Sequence, residues 1–364
     1  MDRRTFLTGA AGLALLSARP AQGASNEIPL QQAIEGSRGE PGLLIYSGLS
    51  QQVWNGALAD FTRRYPWIKV ETLELGSSEI TERYIAERSS GSRTADIIAH
   101  TPDGWLTLHD RNEILPYSSP ELAAFPSGSS PIQGLHTFGC DPLLFLWNKA
   151  VLPAELVPTS FADLVAKAKA NPAIFRNRMT TYSAATGSYG YGINFAFVKH
   201  HGEKAWAWFD ELGPITRVER GSGPMVEKVT TGEYAISFFC APTSTAEAMR
   251  DPARARLLGA SLISDGNPVM LRGVAAMKAT KSPMSARLLI DSVMNREGQI
   301  GWGKGGVGPF RNSIQPEDVG GTRTFASVSQ EIGPSNVALV DYDPKLTSGY
   351  KEFIARWKAA YRLG

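Results

Sequence analysis

The chain has 364 residues, 43% hydrophobic and 20% charged, with a formal net charge of +2. That length exceeds one ordinary core, so two domains are expected, and the composition is that of a soluble globular chain. Without the first 24 residues, which carry Arg3, Arg4 and Arg19 against Asp2, the charge falls to zero, which argues against nucleic acid or an anionic membrane as partner and leaves only a local basic patch open.

The opening stretch MDRRTFLTGAAGLALLSARPAQGA is set apart from the fold. Arg3 and Arg4 followed by Thr5-Phe6-Leu7 resemble a twin-arginine export signal. The apolar part, 9–16, is too short to span a bilayer, and Ala21-Gln22-Gly23 offers small residues for cleavage, with Ala24 an equal end point. Residues 1–24 are therefore read as an export signal. Nothing later is apolar for long enough to anchor the chain, so the remainder is expected free in the periplasm or outside the cell. Cys140 and Cys240 are the only cysteines. A disulfide and two buried thiols stay equally open. No CxxC, HExxH or GxSxG occurs.

After a loose polar stretch, 25–41, Leu43-Leu44-Ile45 predicts a strand ending in Tyr46-Ser47-Gly48. A helix follows, with Val53, Ala57, Leu58, Phe61 and Tyr65 on one face, Ser50 at the N-cap and Pro66 as terminator. Residues 67–75 alternate like a half-buried strand and end in Gly76-Ser77-Ser78-Glu79, ahead of a helix with Ile80, Tyr84 and Ile85. Residues 94–100 predict a third strand, ending at His100-Thr101, with a helix through Trp105, Leu108 and on to Ile114-Leu115. Strand, small polar loop and helix thus recur three times, the signature of a parallel α/β sheet, whose ligands collect outside the carboxyl ends of the strands.

Residues 116–134 read as surface loop and 142–148 as a strand crossing into a second domain. There Thr159-Ser160 caps a helix, and a strand at 179–183 runs into a polar loop and a helix to Leu212. Another strand, 215–219, ends in Arg220-Gly221-Ser222-Gly223, with Pro224 suited to the first helical position. The strand 234–240 follows. Residues 257–263 and Asp265-Gly266 look like a return crossing, 269–277 like a further strand, and 346–363 like a closing helix.

In this order the motifs resemble the periplasmic solute-binding proteins of ABC importers, in the branch of ferric-ion, phosphonate and hexose-phosphate binders. The matching residues are LLIYSG, F-x-x-x-Y-P-x-I-K-V-E from Phe61 to Glu71, Gly76-Ser77-Ser78-Glu79, Thr94-Ala-Asp-Ile and Leu115-Pro-Tyr-Ser-Ser-Pro120. Val229-Thr-Thr-Gly-Glu-Tyr-Ala-Ile236, Asp265-Gly266 and the stretch from Ala286 to Gln299 complete the set. The resemblance implies a two-lobed α/β fold, type II, each lobe a mainly parallel sheet flanked by helices, with a double-crossover hinge. Lobe 1 is placed at 42–138 plus 265–325, lobe 2 at 139–264, and a C-terminal helical segment at 326–364. It also implies ligand capture in the cleft, no catalysis, an ABC permease in the inner membrane as partner, and a monomer.

Ferric members of the branch use two adjacent tyrosines after the G-E strand. Here that place holds Ser237-Phe238-Phe239-Cys240, which weighs against iron and leaves no metal or other cofactor expected. Hydroxyls, backbone N–H groups and helix N-termini instead suit phosphate, phosphonate or carboxylate oxygens. From lobe 1 the candidates are Tyr46, Ser47, Gly48, Ser77, Ser78, Glu79, His100 and Thr101. From lobe 2 they are Thr181, Tyr182, Ser183, Thr186, Gly187, Ser188 and Ser222. Arg220 adds a bidentate donor, Tyr46, Tyr182, Tyr189 or Phe239 would cover an organic body, and Asp265 is a further candidate. Each hydroxyl has a rival reading as a helix cap, Arg220 as a surface ion pair, His100 as a bonded strand-end residue and Asp265 as a turn. An unusual ferric site using Tyr46, Glu79, His100 and Tyr182, a ligand sensor docked on a histidine kinase, and an exported enzyme are the alternative functions.

Overall fold

The computed structural model describes residues 28–363; the export-signal reading of 1–24 lies outside the described residues. Mixed α/β units build two sheets. β1 (Leu43–Ser47) is buried along almost its whole length and pairs in parallel with β2 (Val70–Glu74) and β3 (Ile97–His100). Between β1 and β2 the Gln51–Arg64 helix buries Val53, Ala57, Leu58 and Phe61, as expected from their spacing, together with Trp54, and Tyr65 is buried just past its end. Ser50 is its N-cap residue, although its hydroxyl makes no capping bond. The Ser77–Ser90 and Pro102–Asp110 helices follow β2 and β3. The second stops before Ile114, which instead bridges Met277.

β4 (His136–Pro142) is antiparallel to β10 (Asn267–Ala276), and β11 (Gly308–Pro309) edges β4. β12 (Val337–Val340) lies parallel to β10, so the segment 326–364 contributes a strand as well as helices. The second sheet comprises β5 (Leu144–Asn148), β6 (Met179–Tyr182), β7 (Thr216–Glu219), β8 (Ile236–Cys240) and β9 (Leu258–Ser261), in the order β7-β6-β8-β5-β9. In both sheets the strands of consecutive βα units are parallel, and the strands next to the crossings are antiparallel.

The chain changes sheet twice in close proximity. Leu143 separates β4 from β5, and residues 262–266 separate β9 from β10. Leu143 N donates to Pro268 O at 2.9 Å, and Ile263 N donates to the buried Asn267 Oδ1 at 2.8 Å, so the crossings lie side by side. The helix expected to run to Leu212 is two helices, Ser188–His201 and Glu203–Leu212, because Gly202 at φ 61° breaks the ladder. Pro224 sits at the third position of the Ser222–Thr230 helix, still within the first turn, where its missing N–H costs no bond. The Arg296–Lys304 helix packs closely on Gln51–Arg64. A Cβ at Gly301 would lie 2.2 Å from the Gly56 carbonyl oxygen, so only glycine permits that approach. The terminal helix Tyr350–Ala360 packs Trp357 and Phe353 into the core of the second sheet. Cys140 and Cys240 are buried free thiols.

Candidate functional site

The carboxyl ends of β1, β2, β3, β6, β7 and β8 open on one cavity of about 280 Å³. Four helices also begin on its wall. Gly76 and Ser77 start Ser77–Ser90, Thr101 precedes Pro102–Asp110, Gly221 and Ser222 start Ser222–Thr230, and Ala241, Thr243 and Ser244 start Pro242–Met249. Two of these N-termini belong to each sheet. The first N–H groups of a helix have no intrahelical acceptor and carry a partial positive charge, so the wall favours an anion.

Side chains use some of these donors and fix the wall. Thr101 N donates to His100 Nδ1 at 2.8 Å, which puts the imidazole proton on Nε2, 2.9 Å from Thr81 Oγ1. Burial, reinforced by the positive charge of Arg272 and opposed by Asp103, lowers the His100 pKa and keeps the ring neutral. A Cβ at Gly104 would lie 2.1 Å from His100 Nε2, so glycine makes room for the ring. Tyr182 Oη donates to Ser222 Oγ at 2.6 Å and accepts from Ser222 N at 3.0 Å, while Ser222 Oγ also accepts from Ala241 N at 2.9 Å.

Two arginines reach the cavity in different states. Arg272, 6% exposed, sits on β10 and donates through Nε to Asp141 Oδ2 at 2.8 Å. Tyr189 Oη donates to the same oxygen at 2.8 Å. Burial works against the guanidinium charge, but Asp141 and Tyr189 raise its pKa overall. Tyr189 is pushed well above its ordinary value, first by burial and then by Asp141, and stays a phenol. Arg220 is exposed on the opposite wall and has no hydrogen bond or ion pair among the described residues. Glu74 is the acidic side chain on this wall besides the buried Asp141 behind it.

Of the residues singled out from the sequence, Gly48, Ser77, His100, Thr101, Tyr182, Tyr189, Arg220 and Ser222 line this cavity. The others are placed elsewhere. Tyr46 turns away and donates to Glu87 Oε2 at 2.7 Å, with its ring in the core. Ser47 Oγ accepts from Trp54 Nε1 at 2.7 Å, so its hydroxyl is spent on holding the first helix. Glu79 accepts from Gly76 N at 3.4 Å as a helix-start contact. Thr181 is fully buried, and Ser183 Oγ accepts from Ala185 N at 3.3 Å within its own turn. Phe239, at φ 62°, is packed between Phe161, Phe197 and Phe238, which hold a bulky residue in a backbone region it seldom adopts. Asp265 accepts from Phe161 N at 2.7 Å and Ala162 N at 3.0 Å, capping the Phe161–Ala170 helix together with Ser160. Ser78, Thr186, Gly187 and Ser188 line a separate recess.

No protein-family model matches the chain, and no curated protein matches it. Solved structures do. The substrate-binding protein of an ABC transporter from Agrobacterium tumefaciens superposes with a TM-score of 0.78 at 20% identity, over 91% of this chain and 97% of its own. The periplasmic binding protein AfuA from Actinobacillus pleuropneumoniae, with fructose-6-phosphate bound, gives 0.69 at 17% identity over 89% and 99%. Iron-bound HitA from Pseudomonas aeruginosa gives 0.68 at 16% identity over 88% and 99%. The fold is that of two-lobed periplasmic binding proteins. In those terms the cavity is an interlobe cleft, with β1–β3 and β10 on one side and β6–β8 on the other.

Arg272, Asp141, Glu74, Thr243 and Ser244 were not expected at the site from the sequence, whereas Tyr189, expected there as a cover for the ligand, lines the cavity and is bonded to Asp141. A signal was present for two of them. Arg272 is the lone charge in the apolar run VMLRGVAAM, and Asp141 the lone acid before PLLFLW. A charge in an otherwise fully buried strand requires a partner or a ligand.

Proposed function

We propose that this chain is the solute-binding component of an ABC importer and captures a small anionic solute between its lobes. One observation carries the reading: four helix N-termini, two from each lobe, converge with Arg220 and Arg272 on one cavity. Donors from both lobes meet a bound oxyanion only when the lobes are closed, so ligand shifts the population toward closure about the crossings at 143 and 262–266. Among the compared structures, AfuA carries fructose-6-phosphate, a compatible chemistry. Export of the mature chain, a monomeric state and docking on a membrane permease belong to the same reading.

A second reading is ferric iron, which HitA carries. It draws on Tyr182 and Tyr189, whose ring centroids lie 5.2 Å apart on the cavity wall. Their hydroxyls are bonded to Ser222 and Asp141, and burial raises both above the ordinary phenol value. Phenolates for a hard cation are therefore costly here, which favours the anion. Calorimetric titration of purified, refolded protein against sugar phosphates, phosphonates, dicarboxylates and ferric citrate tests the choice. Saturable binding of one anion class is expected. Tight binding of ferric iron with no anion bound overturns the assignment.

A further inference from the structure

A second recess of about 510 Å³ lies across the cleft, built on residues adjacent to those of the anion cavity. Lobe 1 contributes Glu82 and Asp103, lobe 2 contributes Ser188 and Tyr191, and Tyr350 of the C-terminal segment closes one side. No basic side chain lines it. The start of the Ser188–His201 helix supplies only a partial positive charge, which two full carboxylates outweigh.

The second, independent observation is a pair of stranded hydroxyls. Tyr191 is 1% exposed and faces this recess, and its Oη has no hydrogen-bond partner among the described residues. Ser188 Oγ is likewise buried and has no partner among the described residues. Buried hydroxyls without partners are costly, so two on one recess wall indicate a missing polar group. Burial first, then the negative charge of Asp103, raises the Tyr191 pKa, so Oη stays protonated while its lone pairs remain free to accept. The occupant should therefore be positive and should donate N–H bonds. A quaternary ammonium would satisfy the charge and leave both hydroxyls unpaired.

We infer that this recess is a site for a primary ammonium group, held by Asp103 and Glu82 and accepted by Tyr191 Oη and Ser188 Oγ. The site draws on both lobes, so an occupant also favours closure. It stands apart from the anion reading and is tested with a probe that carries no anionic group.

The experiment is titration of the full chain with n-propylammonium chloride, followed by calorimetry, with tetramethylammonium and 1-propanol as controls. Propylammonium should bind saturably, and tetramethylammonium and propanol much more weakly. Asp103→Asn and Glu82→Gln should each weaken binding roughly tenfold. Tyr191→Phe should weaken it while leaving the far-UV circular dichroism unchanged. Arg220→Ala should leave it unaltered, so failure of the anion cavity would appear separately, in the anion titration alone. Absent propylammonium binding, or binding equal in the Asp103→Asn/Glu82→Gln double variant, overturns the proposal. Should Asp103→Asn fail to fold, Glu82→Gln, at an exposed position, still decides.

Discussion

Arg220 and Arg272 face the same cavity, yet substitutions at the two should read out differently. Arg220 has no partner among the described residues and is exposed, so Arg220→Ala should weaken anion binding by roughly tenfold or more and leave the melting temperature unchanged. Arg272→Met strands Asp141 as a fully buried carboxylate with no counter-charge. That variant should lose about 3–5 kcal/mol of stability, measured by urea unfolding, whatever its affinity. Ser47→Ala should behave as a structural change. It removes the acceptor of the buried Trp54 indole, at a cost of about 1–3 kcal/mol, with anion affinity retained in the folded fraction. At this scale the residue types were legible in the sequence and their directions were not. Ser47 and Ser77 occupy equivalent strand-end loops, but only Ser77 opens on the cavity, because Trp54, in the first turn of the following helix, claims the Ser47 hydroxyl.

Among the elements, helix starts carry the chemistry. The βα repeats were legible because apolar runs, small polar loops and helical spacing are local properties. β4 was not, since HTFGCDP lacks a continuous apolar run and becomes strand only by pairing with β10. β12 differs: Val337-Ala338-Leu339-Val340 is an apolar run of only four residues after a polar stretch, too short to specify a strand until β10 pairs with it. Asp265 illustrates a cap supplied from a distance of about a hundred residues, which spacing alone cannot reveal. Asp265→Ala should uncap the Phe161–Ala170 helix and lower stability by about 1 kcal/mol with no change in anion affinity, checked by thermal unfolding and calorimetry side by side.

For the whole molecule, histidine burial sets a pH limit. His136 is fully buried, and burial lowers its pKa from 6.5 to about 4. His201 is lowered to about 4 as well, by burial and then by neighbouring His200, and His100 is lowered too. Between pH 6.5 and about 4 the unfolded chain takes up protons that the folded chain refuses. Stability should therefore fall as pH falls through that window and should not depend on these groups above it. His136 alone accounts for about 3 kcal/mol when fully titrated. Denaturation midpoints at pH 7, 6, 5 and 4 check this, and His136→Gln should flatten the decline if it folds. The βα units, the positions of their polar loops and the absence of a tyrosine pair at β8 were already legible along the chain, because propensity, periodicity and residue identity are local. Folding alone brings particular loops to one cavity, joins Arg272 and Asp141 there from strands far apart in the chain, and assigns residues 186–188 to a different recess. Those facts depend on how two lobes pack across a double crossing, and contacts of that kind leave no trace in spacing along the chain.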